Sequence, residues 1–337
     1  MPALKATFDV RLPTGAGYLL VSRPRIEPLE YQVSIGRFMV AVRLLSDGSG
    51  EYKRADEPFP SYWITRMLID VTGEENDAAP KGELERFSYV TARRGEYQAS
   101  AAEAVNRVIR FFKYRLRNPL LRELEVLELV CENEGFDKPR WSDEAGNEIT
   151  NDLVRREGSG TIRLQLGRLN ESFLGIRKLT RDDDAGLRNA LGTPIDARLD
   201  EELLADAQAA FFAGHYKRAV LEMAIACEVR VKVAFFGNSG PASAALEHLE
   251  RTRTVRVTDL IAGAAKIAFG ESFRETFPED YRHIDFLFRC RNSVAHRAEV
   301  AYRDDGGVLH QVERETLDKW WQSLEVLGRW LDERGSN

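Results

Sequence analysis

Near its C-terminal end the chain reads Arg291-Asn292-Ser293-Val294-Ala295-His296. Arg and His together can do acid–base chemistry at a phosphate without a metal: the imidazole moves protons near neutral pH, and the guanidinium holds a charged oxygen pair. What positions them is a helix. Between Tyr281 and His296, Ile284, Leu287, Phe288, Val294 and Ala295 recur at three- and four-residue steps and form an apolar stripe. Arg282, Asp285, Arg289, Asn292 and His296 form a polar stripe beside it, so Asn292 and His296 face the same way.

Arg291 falls inside the apolar stripe, where an unpaired guanidinium is costly and must be paired or used. Glu228, on the flank of an apolar face running Leu221, Ile225, Val231 and Phe235, is its candidate partner, with Glu222 as a competitor. Either carboxylate would act by orienting the Arg. Five steps of about 100° place Arg291 and His296 about 140° apart on a regular helix. Either the helix loosens near His296, or a second copy across a twofold axis completes the site, and the second is favoured.

The RNSVAH string resembles the Arg-x4-6-His signature of HEPN domains, with Asn directly after the Arg. The resemblance extends over roughly the last 140 residues, a domain-sized span. It includes the helical pair Ala205 to Gly214 and Tyr216 to Phe236, where Phe211, Gly214, Tyr216, Ala219, Ala226 and Glu228 match the family's Phe-x-x-Gly-x-Tyr … Ala … Glu run. The resemblance implies an all-helical domain that dimerises and, in active members, cleaves RNA without a metal or other cofactor. Carried over, Arg291 and His296 are catalytic and Asn292 positions the His or the phosphate. The His would take the 2′-hydroxyl proton and return one to the leaving 5′-oxygen, while the Arg stabilises the phosphorane. A 2′,3′-cyclic phosphate and a 5′-hydroxyl would result. Other domains with this signature are binding or dimerisation modules, and that reading stands beside the nuclease one.

At 337 residues the chain is long enough for two domains. The segment Met1-Pro2-Ala3-Leu4-Lys5 turns polar without an apolar core, and no uncharged apolar run approaches a membrane span, so a cytoplasmic protein away from membranes is expected. Cys131, Cys227 and Cys290 show no CxxC pair and read as reduced, buried thiols. Net charge is −6, and residues 201–337 hold 18 Lys and Arg against 22 Asp and Glu. Neither part is basic, so any RNA contact must come from local patches or a focused cleft.

From Ala6 to about Arg94 the pattern is β-like, with runs at 18–21, 31–35, 38–42 and 63–71. Ala101 to Leu116 reads as an amphipathic helix with Val105, Ile109, Phe112 and Leu116 on one face, and 124–130 and 161–166 read as strands. The first domain is thus α+β, mainly antiparallel, over residues 1–190, a sensor or specificity domain. A polar, Pro- and Gly-punctuated stretch from Thr180 to Pro194 marks the boundary. A helical domain fills 196–337: Val257 to Phe269 is a short helix, Asp304-Asp305-Gly306-Gly307 a turn, and Glu313 to Glu333 a closing helix with Trp320, Trp321 and Trp330.

Residues Arg107, Arg110, Lys113, Arg115, Arg117 and Arg122, interleaved with Phe111, Phe112 and Tyr114, suit a single-stranded RNA path, or a solvated basic face over a packed aromatic one. Asp182-Asp183-Asp184 reads as a solvated linker run or a Mg²⁺ site. No P-loop, HExxH, Gly-x-Ser-x-Gly or metal-ligand spacing occurs, and His283 reads as ordinary helix surface. The expected protein is a homodimeric RNA endonuclease of toxin or phage-defence type, with an antitoxin or regulatory protein as a further partner. The alternative is a nucleotide-binding or dimerisation module.

Overall fold

The computed structural model describes residues 3–11, 19–48, 53, 58–74, 83–119, 121, 123–124, 136–143, 145–148, 177–236 and 256–335. The chain divides into two compact units, Met1–Asp196 and Ala197–Asn337, the first α+β and the second mainly helical. Among the described residues, no helix is long and apolar enough to cross a membrane.

The first unit is built on a five-stranded antiparallel sheet of order β3-β4-β6-β1-β7. Its strands are β1 (Ala3–Arg11), β3 (Leu29–Ile35), β4 (Phe38–Leu45), β6 (Arg66–Glu74) and β7 (Phe136–Ser142). Side chains alternate between buried and open along β3 and β4, the period of two that a half-covered sheet imposes. The covering layer is α1 (Glu83–Arg110), which packs on β6, β4 and β3 and ends in a π-helical turn, Phe111–Arg115. Tyr97 of α1 meets Phe38 and Trp141 edge-on at 4.7 and 5.0 Å and donates to the Leu4 carbonyl. A smaller ladder pairs β2 (Leu20–Ser22) with β5 (Ser61–Trp63).

Several expectations change here. The β-like reading stops at Glu74, because Glu83 already belongs to α1, whose buried stripe of Val90, Tyr97, Ala101, Val105 and Val108 has helical spacing. The aromatic and β-branched run Tyr89-Val90-Thr91 in its first turns also suits a strand, which is why the local pattern misleads. The run at 63–71 is broken: Trp63 ends β5, and Arg66 begins β6 in the other sheet. Strand β7 carries Pro139 and lies at a sheet edge, where a missing N–H is tolerated. The boundary stretch contains a helix, α2 (Asp184–Gly192), packed on β3 and α1. Its acidic run is structural: Asp183 accepts from the Thr180 N–H and hydroxyl at 2.9 and 2.7 Å, and Asp184 pairs with Arg23 and accepts from Tyr31 at 2.8 Å. Burial and Asp184 push the Tyr31 phenol up. The strand expected at 161–166, and that at 124–130 beyond Leu124, lie outside the described residues.

In the second unit α3 (Leu199–Phe212) and α4 (Tyr216–Phe236) form a helical hairpin. Gly214 closes it at φ +75°, a left-handed position that glycine accepts without strain. The helical stretch that follows consists of Val257–Asp259, a π-helical Leu260–Ala264 and Ala265–Phe269, together called α5; the short α6 is Phe273–Thr276. Then come α7 (Pro278–Arg297), a small hairpin of β8 (Ala301–Arg303) and β9 (Leu309–Gln311), and α8 (Arg314–Gly335). Helices α4, α7 and α8 pack pairwise, with Trp320 and Trp330 buried among them.

Asn106 of α1 is buried and fastens the segment at Leu124: its Nδ2 donates to the Leu124 carbonyl at 2.9 Å, and its Oδ1 accepts from the Leu124 N–H at 2.7 Å. Asn106→Ala leaves both backbone groups unpaired and should destabilise the first unit by about 2 kcal/mol, read as a lower urea midpoint with an unchanged slope.

Candidate functional site

Helix α7 starts at Pro278, whose fixed φ and missing N–H suit a first turn. It stops at Ala298, which takes the left-handed conformation at φ 58° and donates its N–H to the Val294 carbonyl. Ile284, Leu287, Cys290 and Val294 are buried against the rest of the unit. Asn292 and His296 are exposed, and Arg291 is partly buried at the edge of the apolar stripe.

Beyond Ala298 the β8–β9 hairpin folds back on α7. Tyr302 stacks between Phe286 and His310, with ring centroids 4.8 and 5.2 Å away. His310 Nε2 lies 2.8 Å from Asp304 Oδ2 across the hairpin, and this contact holds the Asp304 carboxyl below its usual range. Arg289 ties hairpin to helix: it donates to the Arg303 carbonyl at 3.0 Å and pairs with Asp305 at 2.7 Å and Asp285 at 2.5 Å. Between helix and hairpin lies an open pocket of about 350 Å³, lined by Arg289, Asn292, Ser293, His296 and Arg297 of α7 and by Ala301, Tyr302, Arg303 and Leu309 of the hairpin.

Two of the three motif residues therefore share a pocket, and the third does not. Arg291 is absent from its lining; among the described residues its guanidinium donates only to Asn292 Oδ1, at 3.1 Å. The regular helix keeps the angular offset that the spacing predicts. Glu228 is not its partner: it pairs with Lys232 one turn along α4 at 2.9 Å, a neighbour that helix geometry supplies without tertiary structure. The competitor Glu222 pairs with Arg218 at 2.7 Å. Since Arg291 is only partly buried, the demand for a buried carboxylate disappears. The run that carried the resemblance is mainly architectural: Ala219 and Ala226 are buried, Phe211 and Tyr216 pack beside the core, and Gly214 makes the turn.

The basic–aromatic patch is dismantled by packing. Arg107 is buried, bonded to Glu103 and to the Leu191 and Gly192 carbonyls, and Arg110 pairs with Glu123 at 2.7 Å. Lys113 lies over the Tyr114 ring, Arg117 is partly buried at φ 58°, and Phe111 and Phe112 are core. Arg115 is exposed, and Arg122 lies outside the described residues. Cys290 and Cys227 are buried thiols, both pushed up to about 12 by burial. Among the described residues, no three His, Cys, Asp or Glu side chains form a metal-binding group.

Sequence patterning overlooks Arg297, Arg303 and Tyr302. The Asp-Asp-Gly-Gly turn was the available signal: a turn flanked by short alternating segments is a hairpin, and its strands carry Tyr302 and Arg303. His283 also differs from the surface reading. It is half-buried and bonds through Nδ1 to Ser323 Oγ at 3.0 Å; Ser323 in turn donates to Asp280 at 2.8 Å, so the imidazole supplies the proton to Ser323. This chain joins α7 to α8.

Comparison of the chain with family models, curated proteins and solved structures gives no match.

Arg291→Ala should change stability by no more than about 0.5 kcal/mol, as at other positions without buried partners, checked by urea unfolding. His283 behaves differently. Burial lowers its pKa, outweighing Glu279 and Asp280, so the unfolded chain takes up the proton first as pH falls. Stability should decline as pH drops below about 6.5, the unfolded value, and His283→Gln should flatten that decline; equal slopes for variant and parent would refute this coupling.

Proposed function

We propose that the helical unit is a HEPN-type, metal-independent RNA endonuclease acting as a homodimer, within a toxin or phage-defence effector whose α+β unit is the sensor. One observation carries this reading: His296 and Asn292 stand at the wall of an open pocket whose cations, Arg297 and Arg303, suit a phosphodiester. His296 takes the proton from the ribose 2′-hydroxyl. The 2′-oxygen attacks phosphorus, the bond to the 5′-oxygen breaks, and the imidazolium protonates that oxygen. Arg291, outside the pocket of its own chain, reaches the reacting phosphate of a second copy.

That same displacement of Arg291 favours a second reading, a non-catalytic module that binds a nucleotide in the pocket. Cleavage separates the two. Single-stranded RNA should be cut in excess EDTA, leaving 2′,3′-cyclic phosphate ends, and His296→Ala should abolish cutting while melting like the parent. Loss of all activity with EDTA would defeat the metal-free mechanism, and full activity in His296→Ala would leave the module. Light scattering at micromolar concentration should give a dimer; a monomer that cleaves would remove the composite site.

A further inference from the structure

We infer that Arg297 and Arg303 form a phosphate clamp within a single protomer, holding the backbone of a nucleic-acid strand against the face of α7 that bears Asn292 and His296. Holding a phosphate for His296 presupposes the nuclease reading of this pocket, whereas holding a phosphate at all does not.

The three arginines of the pocket are not equivalent. Arg289 is neutralised by Asp285 and Asp305, and one of its nitrogens is spent on the Arg303 carbonyl. It is a positioning residue for the strand that carries Arg303. Arg303 is exposed and donates from one nitrogen to the Gly307 carbonyl at 2.8 Å; Arg297 is exposed as well. Among the described residues, no carboxylate pairs with either. A cation in the last turn of a helix is favoured by the negative end of the helix dipole, which accounts for Arg297 without a ligand. It does not account for Arg303, which arrives from the hairpin and faces the same pocket. Two exposed guanidiniums from different elements, converging beside an Asn, a Ser and a His, make a site for an anion with several oxygens.

The wall opposite the helix is stiff enough to serve as one jaw. Tyr302, beside Arg303, is held between Phe286 and His310, and Asp304 is held by His310 and by the Val308 N–H at 2.9 Å. The pocket is open to solvent, so a phosphate of a strand can reach both guanidiniums from outside.

The test is binding of a 2′-O-methylated oligouridylate, which cannot be cut because it lacks the nucleophilic hydroxyl, followed by fluorescence anisotropy at several salt concentrations. The parent should bind with a salt-dependent affinity. Arg297→Ala with Arg303→Ala should weaken binding about tenfold or more and make the plot of log affinity against log salt shallower by about 1.4, the share of two phosphate contacts on a single strand. Arg297→Ala alone should give about half that change; it has no structural contact to lose, so misfolding cannot mimic the result. Arg282→Ala, an exposed cation of α7 outside the pocket, should bind like the parent. An unchanged slope in the double variant, or a parent that fails to bind, overturns the clamp. So does inorganic phosphate competing as well as the strand at equal phosphate concentration, since that identifies a small-anion site. A parent that binds as expected but cuts no RNA supports the clamp and removes the nuclease reading.

Discussion

Ile284, Leu287, Cys290 and Val294 are buried on one side of α7, and their burial fixes the rotation of that helix about its axis. Removing one such side chain from water contributes about 1.5–3 kcal/mol. Turning the helix by a single residue position would expose most of them, at a cost comparable to the whole stability of a domain. The chain from His283 through Ser323 to Asp280 gives the same rotation a polar lock. With the azimuth set, Asp285, Arg289, Asn292 and His296 have no choice but to face outward as a row. Arg291 is set just as firmly at the margin, away from the pocket that His296 lines.

What distinguishes this region is the fate of its cations rather than their number. In the α+β unit, Arg23, Arg107 and Arg110 each meet a carboxylate or backbone carbonyl and serve the fold. Around the pocket, Arg289 is paired in the same way, whereas among the described residues Arg297 and Arg303 meet no carboxylate, and Arg303 gives one nitrogen to the Gly307 carbonyl. A chain with a net charge of −6 can therefore present a cationic recess, because local pairing and not the overall balance decides which charges a ligand meets.

The broad division into an α+β part and a helical part was readable from the change of hydrophobic period, and the bounds of α4, α7 and α8 fall within a few residues of expectation because their stripes are long. Reading failed where a short pattern had two structural solutions. Tyr89-Val90-Thr91 suits a strand as well as a helix, and Asp183 and Asp184 look solvated until Thr180, Arg23 and Tyr31 close on them. Of the site, the shared face of Asn292 and His296 was legible, since helical spacing alone dictates it. The partner of Glu228 is not legible in the pattern, because its apolar neighbours suggest burial while Lys232 lies one turn away. Arg303 could only be found through the hairpin: no periodicity links residues separated by a chain reversal.

The pocket's two walls differ in what holds them. One is a helix whose inner face is core, so its outward residues are as constrained as the packing beneath them. The other ends in the turn from Asp304 to Val308, whose tip residues Asp305, Gly306 and Gly307 are exposed and fastened mainly by Asp304, Arg289 and the bond from Arg303. Mutational drift can lengthen or recompose that tip without touching the helix core. In evolutionary terms the helix face that bears Asn292 and His296 and the rim of the recess are inherited separately, so descendants of this chain can reshape the one while keeping the other.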